Sequence, residues 1–135
     1  MKQIETGLSR EDVTVVREED LATTHKSGSL EVYATPAMVA FMEETCCKLL
    51  EPYMDEGETT VGIAMDVKHT KATLIGMYVH CKATLLAVEG RKFVFEIETR
   101  DDLTPIGSAR HERFLVQMEP FMEKALKNKS HCNGL

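Results

Sequence analysis

The sequence predicts an α+β fold in which an antiparallel sheet wraps around one long central helix. Three observations lead there. A mostly apolar helical segment, "YATPAMVAFMEETCCKLLEPY", occupies residues 33–53. One strand-like segment precedes it, and four strand-like segments follow it with short connections. Consecutive strands joined this way pair antiparallel, and a helix apolar on most of its sides needs burial on more than one of them. A strongly curved sheet around the helix, the hotdog arrangement, meets that need.

The chain has 135 residues, the length of one domain with one core. The reading is a single domain over 1–135, with residues 126–135 as a loose C-terminal tail. "EDVTVVRE" supplies the first strand, and "EDLATTHKSGSLEVYA" reads as a polar loop with one extended piece. For the helix, Thr35 is placed at the N-cap and Pro36 at the first helical position, where a missing N–H costs nothing. Pro52 and Gly57 end it, giving about 15 to 18 residues.

"TTVGIAMDVKHTKAT" alternates, with Val61, Ile63, Met65 and Val67 on one face and Gly62, Ala64, Asp66 and Lys68 on the other. "GMYVHCKATLLAVE" and "KFVFEIETRD" form a hairpin about Gly90, and "GSARHERFLVQM" is the last strand. "PFMEKALKNK" reads as a short helix and "SHCNGL" as tail.

Composition excludes several classes. A net charge of −6 argues against a nucleic-acid binder, which carries a basic stripe. No apolar run spans a bilayer and no signal peptide opens the chain. Cys46, Cys47, Cys81 and Cys132 show neither zinc spacing nor a disulfide framework, so no metal and a reduced, cytoplasmic setting are expected. Cys46 and Cys47 read as small buried hydrophobes.

Glu43 is the anomaly. At 100° per residue, Val39, Ala40, Cys46, Cys47 and Leu50 lie within roughly 60° of it around the axis, whereas Glu44 has Lys48 and Glu51 on its side. Helical patterning alone leaves two readings: a carboxylate at the stripe's margin bending to water, or one held in a pocket for chemistry. His69 is in phase with the apolar face of its strand, and is either a core histidine bonded to backbone or a site residue.

"ATPAMVAFMEETC", "EPYMDEGETTVGIAMDVKHTKAT", "VEGRKFVFEIETRD" and "IGSARHERFLVQME" together resemble the hotdog-fold thioesterases of the fluoroacetyl-CoA thioesterase type, over most of residues 33–119. The resemblance implies a catalytic group of Thr35, Glu43 and His69, with Gly62 and Arg113 matching the family's glycine and arginine. Pro36 and Lys71 join these two as expected substrate contacts. It implies an acyl-CoA substrate, no cofactor, and a homodimer or dimer of dimers, with sheets joined edge to edge and sites at the subunit boundary.

Two features depart from the family's fluoroacetate-selective member. The segment before the helix is short and polar where that member has a longer aromatic and proline-rich lid, and Pro36 stands where it has glycine. Expected, then, is an acyl-CoA thioesterase for small or short-chain acyl groups. The alternative is a non-catalytic acyl-CoA-binding domain. The residue types suit the chemistry: Glu43 as general base or attacking carboxylate, Thr35 as hydroxyl donor or nucleophile, His69 as proton carrier to the leaving thiolate. Lys68, Lys71, Arg91 and Lys92 cluster near strand ends and turns, and some of them are expected to flank the cleft mouth and meet CoA phosphates.

Overall fold

The computed structural model of the protein describes residues 1–133. In chain order its elements are β1 (Ser9–Val15), α1 (Ala22–His25), α2 (Thr35–Leu50), β2 (Glu58–His69), β3 (Tyr78–Glu89), β4 (Lys92–Arg100), β5 (Pro105–Gln117) and α3 (Met118–Asn133). The strands form one antiparallel sheet in the order β1-β3-β4-β5-β2, and α2 packs on its concave face: this is the hotdog arrangement.

The β3–β4 and β4–β5 connections are tight. In the first, Glu89 pairs with Lys92 across a turn whose Gly90 has φ +65°, a conformation glycine adopts without strain. The β2–β3 connection is not a hairpin. Residues 70–77 carry the chain from the β2 edge to β3, which lies beside the opposite edge strand.

The core lies between α2 and the inward side chains of β3, β4 and β5. From the helix come Met38, Met42, Cys46, Leu49 and Leu50; from the sheet come Val79, Cys81, Ala83, Leu85, Phe93, Phe95 and Ile97, all buried. Close approach of helix to sheet depends on Gly107. A Cβ there would stand 2.7 Å from the Lys68 carbonyl and 2.8 Å from the Met38 methyl.

Five expectations are corrected. First, α2 begins with Ala34 as its N-cap and Thr35 inside the helix, so the Thr35 hydroxyl caps nothing. The hydroxyl is bonded elsewhere, to His69. Second, the alternation of β2 breaks. Its register against β5 shifts between Gly62 and Ala64, so Thr60 and Gly62 share the inner face with Met65, Val67 and His69, while Ile63 is 52% exposed. A bulge inserts one residue and so reverses the parity of a period-two pattern.

Third, residues 18–33 are not a plain loop. A 3-10 turn at Glu18–Asp20 and the helical turn α1 bring Leu21 against Tyr33 in an isolated bridge. Burial of Leu21, Ala22 and Tyr33 supplies the anchor that polar composition concealed. Fourth, Cys47 is exposed while Cys46 is buried. The Pro36, Ala40 and Cys47 side of α2 stays open, so the helix is not covered all round.

Fifth, the chain from 126 to 133 is helix, not tail. Lys, Ala and Leu favour helix, and after Met118 no glycine occurs until Gly134. Residues 134–135 of the expected tail lie outside the described residues.

Gly107→Ala tests the helix–sheet approach. Overpacking of this kind costs about 1–3 kcal/mol, which lowers the melting midpoint of a domain this size by several degrees. Thermal denaturation followed by circular dichroism should show that drop, and an unchanged midpoint would mean that α2 has room to retreat.

Candidate active site

The first cluster lies where α2 begins and β2 ends. Thr35 occupies the first turn of α2 and His69 the last position of β2, and their Oγ1 and Nδ1 atoms are 2.8 Å apart. The Tyr33 ring meets the imidazole edge-on, with centroids 6.3 Å apart and an interplanar angle of 82°. The far nitrogen, Nε2, is buried and has no hydrogen-bond partner among the described residues. Burial holds the imidazole pKa below its usual value, so the ring stays neutral at neutral pH. A groove of about 390 Å³ opens here between α1, the 27–32 segment and residues 69–72.

Lys71 borders this groove, but its ammonium is engaged. It donates to Asp101 at 3.0 Å and also to Thr104. Asp101 also accepts from the Leu103 and Thr104 backbone amides, at 2.8 and 2.7 Å. These amides first, and Lys71 after them, hold the Asp101 carboxyl far below the usual carboxylate range.

The second cluster lies two turns further along α2, about 12 Å up the axis from Thr35. Glu43 Oε2 is 3.5 Å from Arg113 Nη1 and 3.9 Å from His111 Nε2. Arg113 is buried. Its Nε donates to Thr60 Oγ1 at 2.9 Å, its Nη2 to the Thr60 carbonyl at 3.0 Å, and its Nη1 to His111 Nε2 at 3.2 Å. Gly62 pairs with Arg113 across β2 and β5. A Cβ at Gly62 would stand 2.7 Å from Glu43 Oε2 and 3.2 Å from His111 Cε1, so only glycine leaves the carboxylate its place. The Glu43 side chain is 38% exposed, whereas Glu44 points to solvent and pairs with Lys48 at 2.9 Å.

The structure thus brings Thr35 to His69, and Glu43 to Gly62 and Arg113. It does not bring the two clusters into contact within one chain. Pro36, in the first turn of α2, adds no N–H donor at the helix start. The four expected cations also divide. Lys68 and Lys71 lie at the His69 end of β2, while Arg91 and Lys92 lie at the β3–β4 turn, level with Phe114 and Val61. Lys92 pairs there with Glu89 and Glu112.

His111, Thr60, Tyr33 and Asp101 went unrecognised in the sequence. For His111 a signal existed: it stands two residues before Arg113, on the same face of a strand. Cysteine chemistry is disfavoured, since burial pushes the Cys46 thiol well above its usual range and also raises that of Cys47. No helix is long and apolar enough to cross a membrane among the described residues, and no group of three or more His, Cys, Asp or Glu among them could hold a metal ion.

His69 and His111 carry a pH signature. Burial depresses both folded-state pKa values, while the unfolded chain protonates near the ordinary value of about 6.5. The unfolded state therefore binds more protons below that value. The two residues' contribution to stability is complete above it and is lost as pH falls through it toward the folded values. Melting midpoints should drop between pH 7.5 and pH 5. A midpoint constant over that range would contradict the burial of these rings.

With this geometry in place, likeness to known proteins is informative. The family described as fluoroacetyl-CoA-specific thioesterase matches residues 16–119. The fluoroacetyl-CoA thioesterase of Streptantibioticus cattleyicolor is 40% identical over 94 residues, which are 70% of this chain and 68% of that one. The solved structure of the fluoroacetyl-CoA thioesterase FlK aligns with a TM-score of 0.90 at 31% identity, covering 93% of this chain and 98% of that one. A variant of FlK solved with fluoroacetate and CoA aligns with a TM-score of 0.82 at 33% identity, covering 87% of this chain and 99% of that one. This chain therefore belongs to the fluoroacetyl-CoA-specific thioesterase family, a hotdog-fold group of thioester hydrolases.

Proposed function

We propose that this protein hydrolyses small or short-chain acyl-CoA thioesters in the cytoplasm, at sites completed between two copies of the chain. The observation that carries the reading is the Thr35–His69 pair. Its neutral imidazole keeps a buried, unpartnered Nε2 beside a groove. An orphaned buried nitrogen carries a desolvation cost that a substrate or a transferred proton relieves.

In the proposed reaction Glu43 activates water or attacks the acyl carbon itself. Water's oxygen ends on the acyl carbon, the C–S bond breaks, and the thiolate takes up a proton that His69 can carry across. The Thr35 hydroxyl and first-turn amides of α2, Pro36 excepted, favour the carbonyl oxygen as negative charge develops on it. The short segment at 27–32 bounds the groove with Ser27, Gly28 and Ser29, and Leu30 is 69% exposed. A rim this polar and open supports broad acceptance of small acyl groups over selection for a fluorinated one.

The separation of the clusters supports a dimer. β2 is an edge strand, an unpaired row of backbone groups open to another chain. In a two-fold antiparallel pairing of β2 with a second copy, the His69 end of one chain meets the Glu58–Gly62 end of the other. That pairing sets Thr35 and His69 beside the Glu43 of the second copy, and brings Lys68 and Lys71 toward its Arg91 and Lys92. α3 also lacks cover: Met118, Phe121, Met122 and Leu126 are all exposed, as expected of a face completed by association.

Thiol release over acetyl-, fluoroacetyl-, butyryl- and palmitoyl-CoA tests the activity. Acetyl-CoA should turn over, with no preference of several powers of ten for the fluorinated substrate. Glu43→Gln should cost about 100-fold or more in kcat, and Glu44→Gln very little. Absence of thiol release from every substrate would favour the alternative, a non-catalytic acyl-CoA-binding domain.

Subunit complementation tests the assembly. Glu43→Gln and His69→Ala should each be inactive alone. Mixed by unfolding and refolding together, they should recover about a quarter of the wild-type rate, since each mixed dimer holds one intact site. A mixture that stays inactive, or a monomer by light scattering with full activity, places the whole reaction in one chain and overturns the reading.

A further inference from the structure

We propose that His111 is a positioning residue, whose neutral ring holds the Arg113 guanidinium in the orientation that faces Glu43. Its kinetic consequence rests on the thioesterase reading; its geometry does not. The ring is 1% exposed and stacks on Phe95, with centroids 6.4 Å apart and an interplanar angle of 29°. That contact fixes its plane.

Its neighbours then fix its tautomer. Nδ1 lies 2.7 Å from the Ala64 carbonyl oxygen. A carbonyl only accepts, so the proton is on Nδ1, and in a neutral ring Nε2 is then an acceptor. The group facing Nε2 at 3.2 Å is Arg113 Nη1, which only donates. The Ala64 carbonyl sits just past the β2 register shift, so the bulge and the ring belong to one construction. Thr60 pins the other two nitrogens of the guanidinium. Three attachments hold the fork, and the Nη1 corner is the one that reaches Glu43 at 3.5 Å. Without the Nε2 acceptor, the rigid guanidinium loses its third attachment and can tip as a unit about the line through Nε and Nη2, which carries the Nη1 corner away from Glu43.

Protonation would undo the clamp. His111 with two N–H groups would set a donor and a positive charge against Arg113. The charged groups acting on the ring are Glu43 from α2, Arg113 from β5 and, from the other face of β5, Glu112. β2 offers the Thr60 side chain and the Ala64 carbonyl, and β4 offers Phe95, none of them charged. Burial, the largest influence, already disfavours the charged ring, which keeps the clamp closed at neutral pH and open to failure in acid.

The experiment compares His111→Phe and His111→Gln in the full-length protein, with and without Glu43→Gln. Phenylalanine fills the space beside Phe95 but can neither donate nor accept, whereas the glutamine amide can do both. His111→Phe should lower kcat roughly tenfold or more with KM changed little, as expected when an interaction that orients the reacting group is lost. His111→Gln should restore much of the rate and remove the acid limb of the pH profile that His111 imposes. In the Glu43→Gln background neither change should cost anything further. Nitrogen-15 NMR of the wild-type ring reads the clamp without any activity: it should report protonated Nδ1 and bare Nε2, with the Nε2 signal shifted by Arg113→Lys. A proton on Nε2, wild-type kcat in His111→Phe, or an undiminished loss in the Glu43→Gln background overturns the proposal. A wild-type protein inert toward every acyl-CoA would sink the thioesterase reading instead, with the NMR result still deciding the clamp.

Discussion

A guanidinium buried on the concave face of the sheet organises everything near it. Arg113 cannot shed its charge, and a buried cation without partners is strongly destabilising. Its demands explain residues that otherwise look unrelated. Thr60 accepts from two of its nitrogens, His111 from the third, and Glu43 supplies the compensating charge. Gly62 leaves the carboxylate its place; a side chain there would displace it. The β2 bulge supports the same cluster, because past the shift the Ala64 carbonyl serves the His111 ring. The result is a carboxylate drawn inward from a mostly apolar helix, held by electrostatics and not by burial alone.

The helix pays out its residues in two directions. Met38, Met42, Cys46, Leu49 and Leu50 go to the core, and Gly107 admits Met38 close to the sheet. The opposite side, with Pro36, Ala40 and Cys47 exposed and Glu43 half-buried, remains open. The buried stripe fixes the axis of α2, and the fixed axis sets both Thr35 and Glu43. It also sets them too far apart to meet in one chain. A bare β2 edge lies alongside, with the His69 cluster at one end and the Gly62 cluster toward the other. The same geometry supports the proposal that a second copy completes the site.

By itself the sequence determined the order of the five strands and the long helix among them, the Gly90 hairpin and the antiparallel class, because these depend on local signals: periodicity, proline and glycine placement, and short connections. The pattern around Glu43 also marked it as an intruder on an apolar stripe, and the phase of His69 placed it on the inner face. Tertiary structure decided what local pattern cannot encode. The bulge in β2 reversed the face of Gly62 and exposed Ile63, because one inserted residue inverts a period-two alternation. Thr35 turned from cap to hydrogen-bond partner because His69, 34 residues away, arrives within 2.8 Å. His111 joined the Arg113 cluster because its ring lies between a carbonyl on one strand and the guanidinium on its own. Such contacts are set by how α2 and the sheet meet, and no stretch of chain carries that meeting within it.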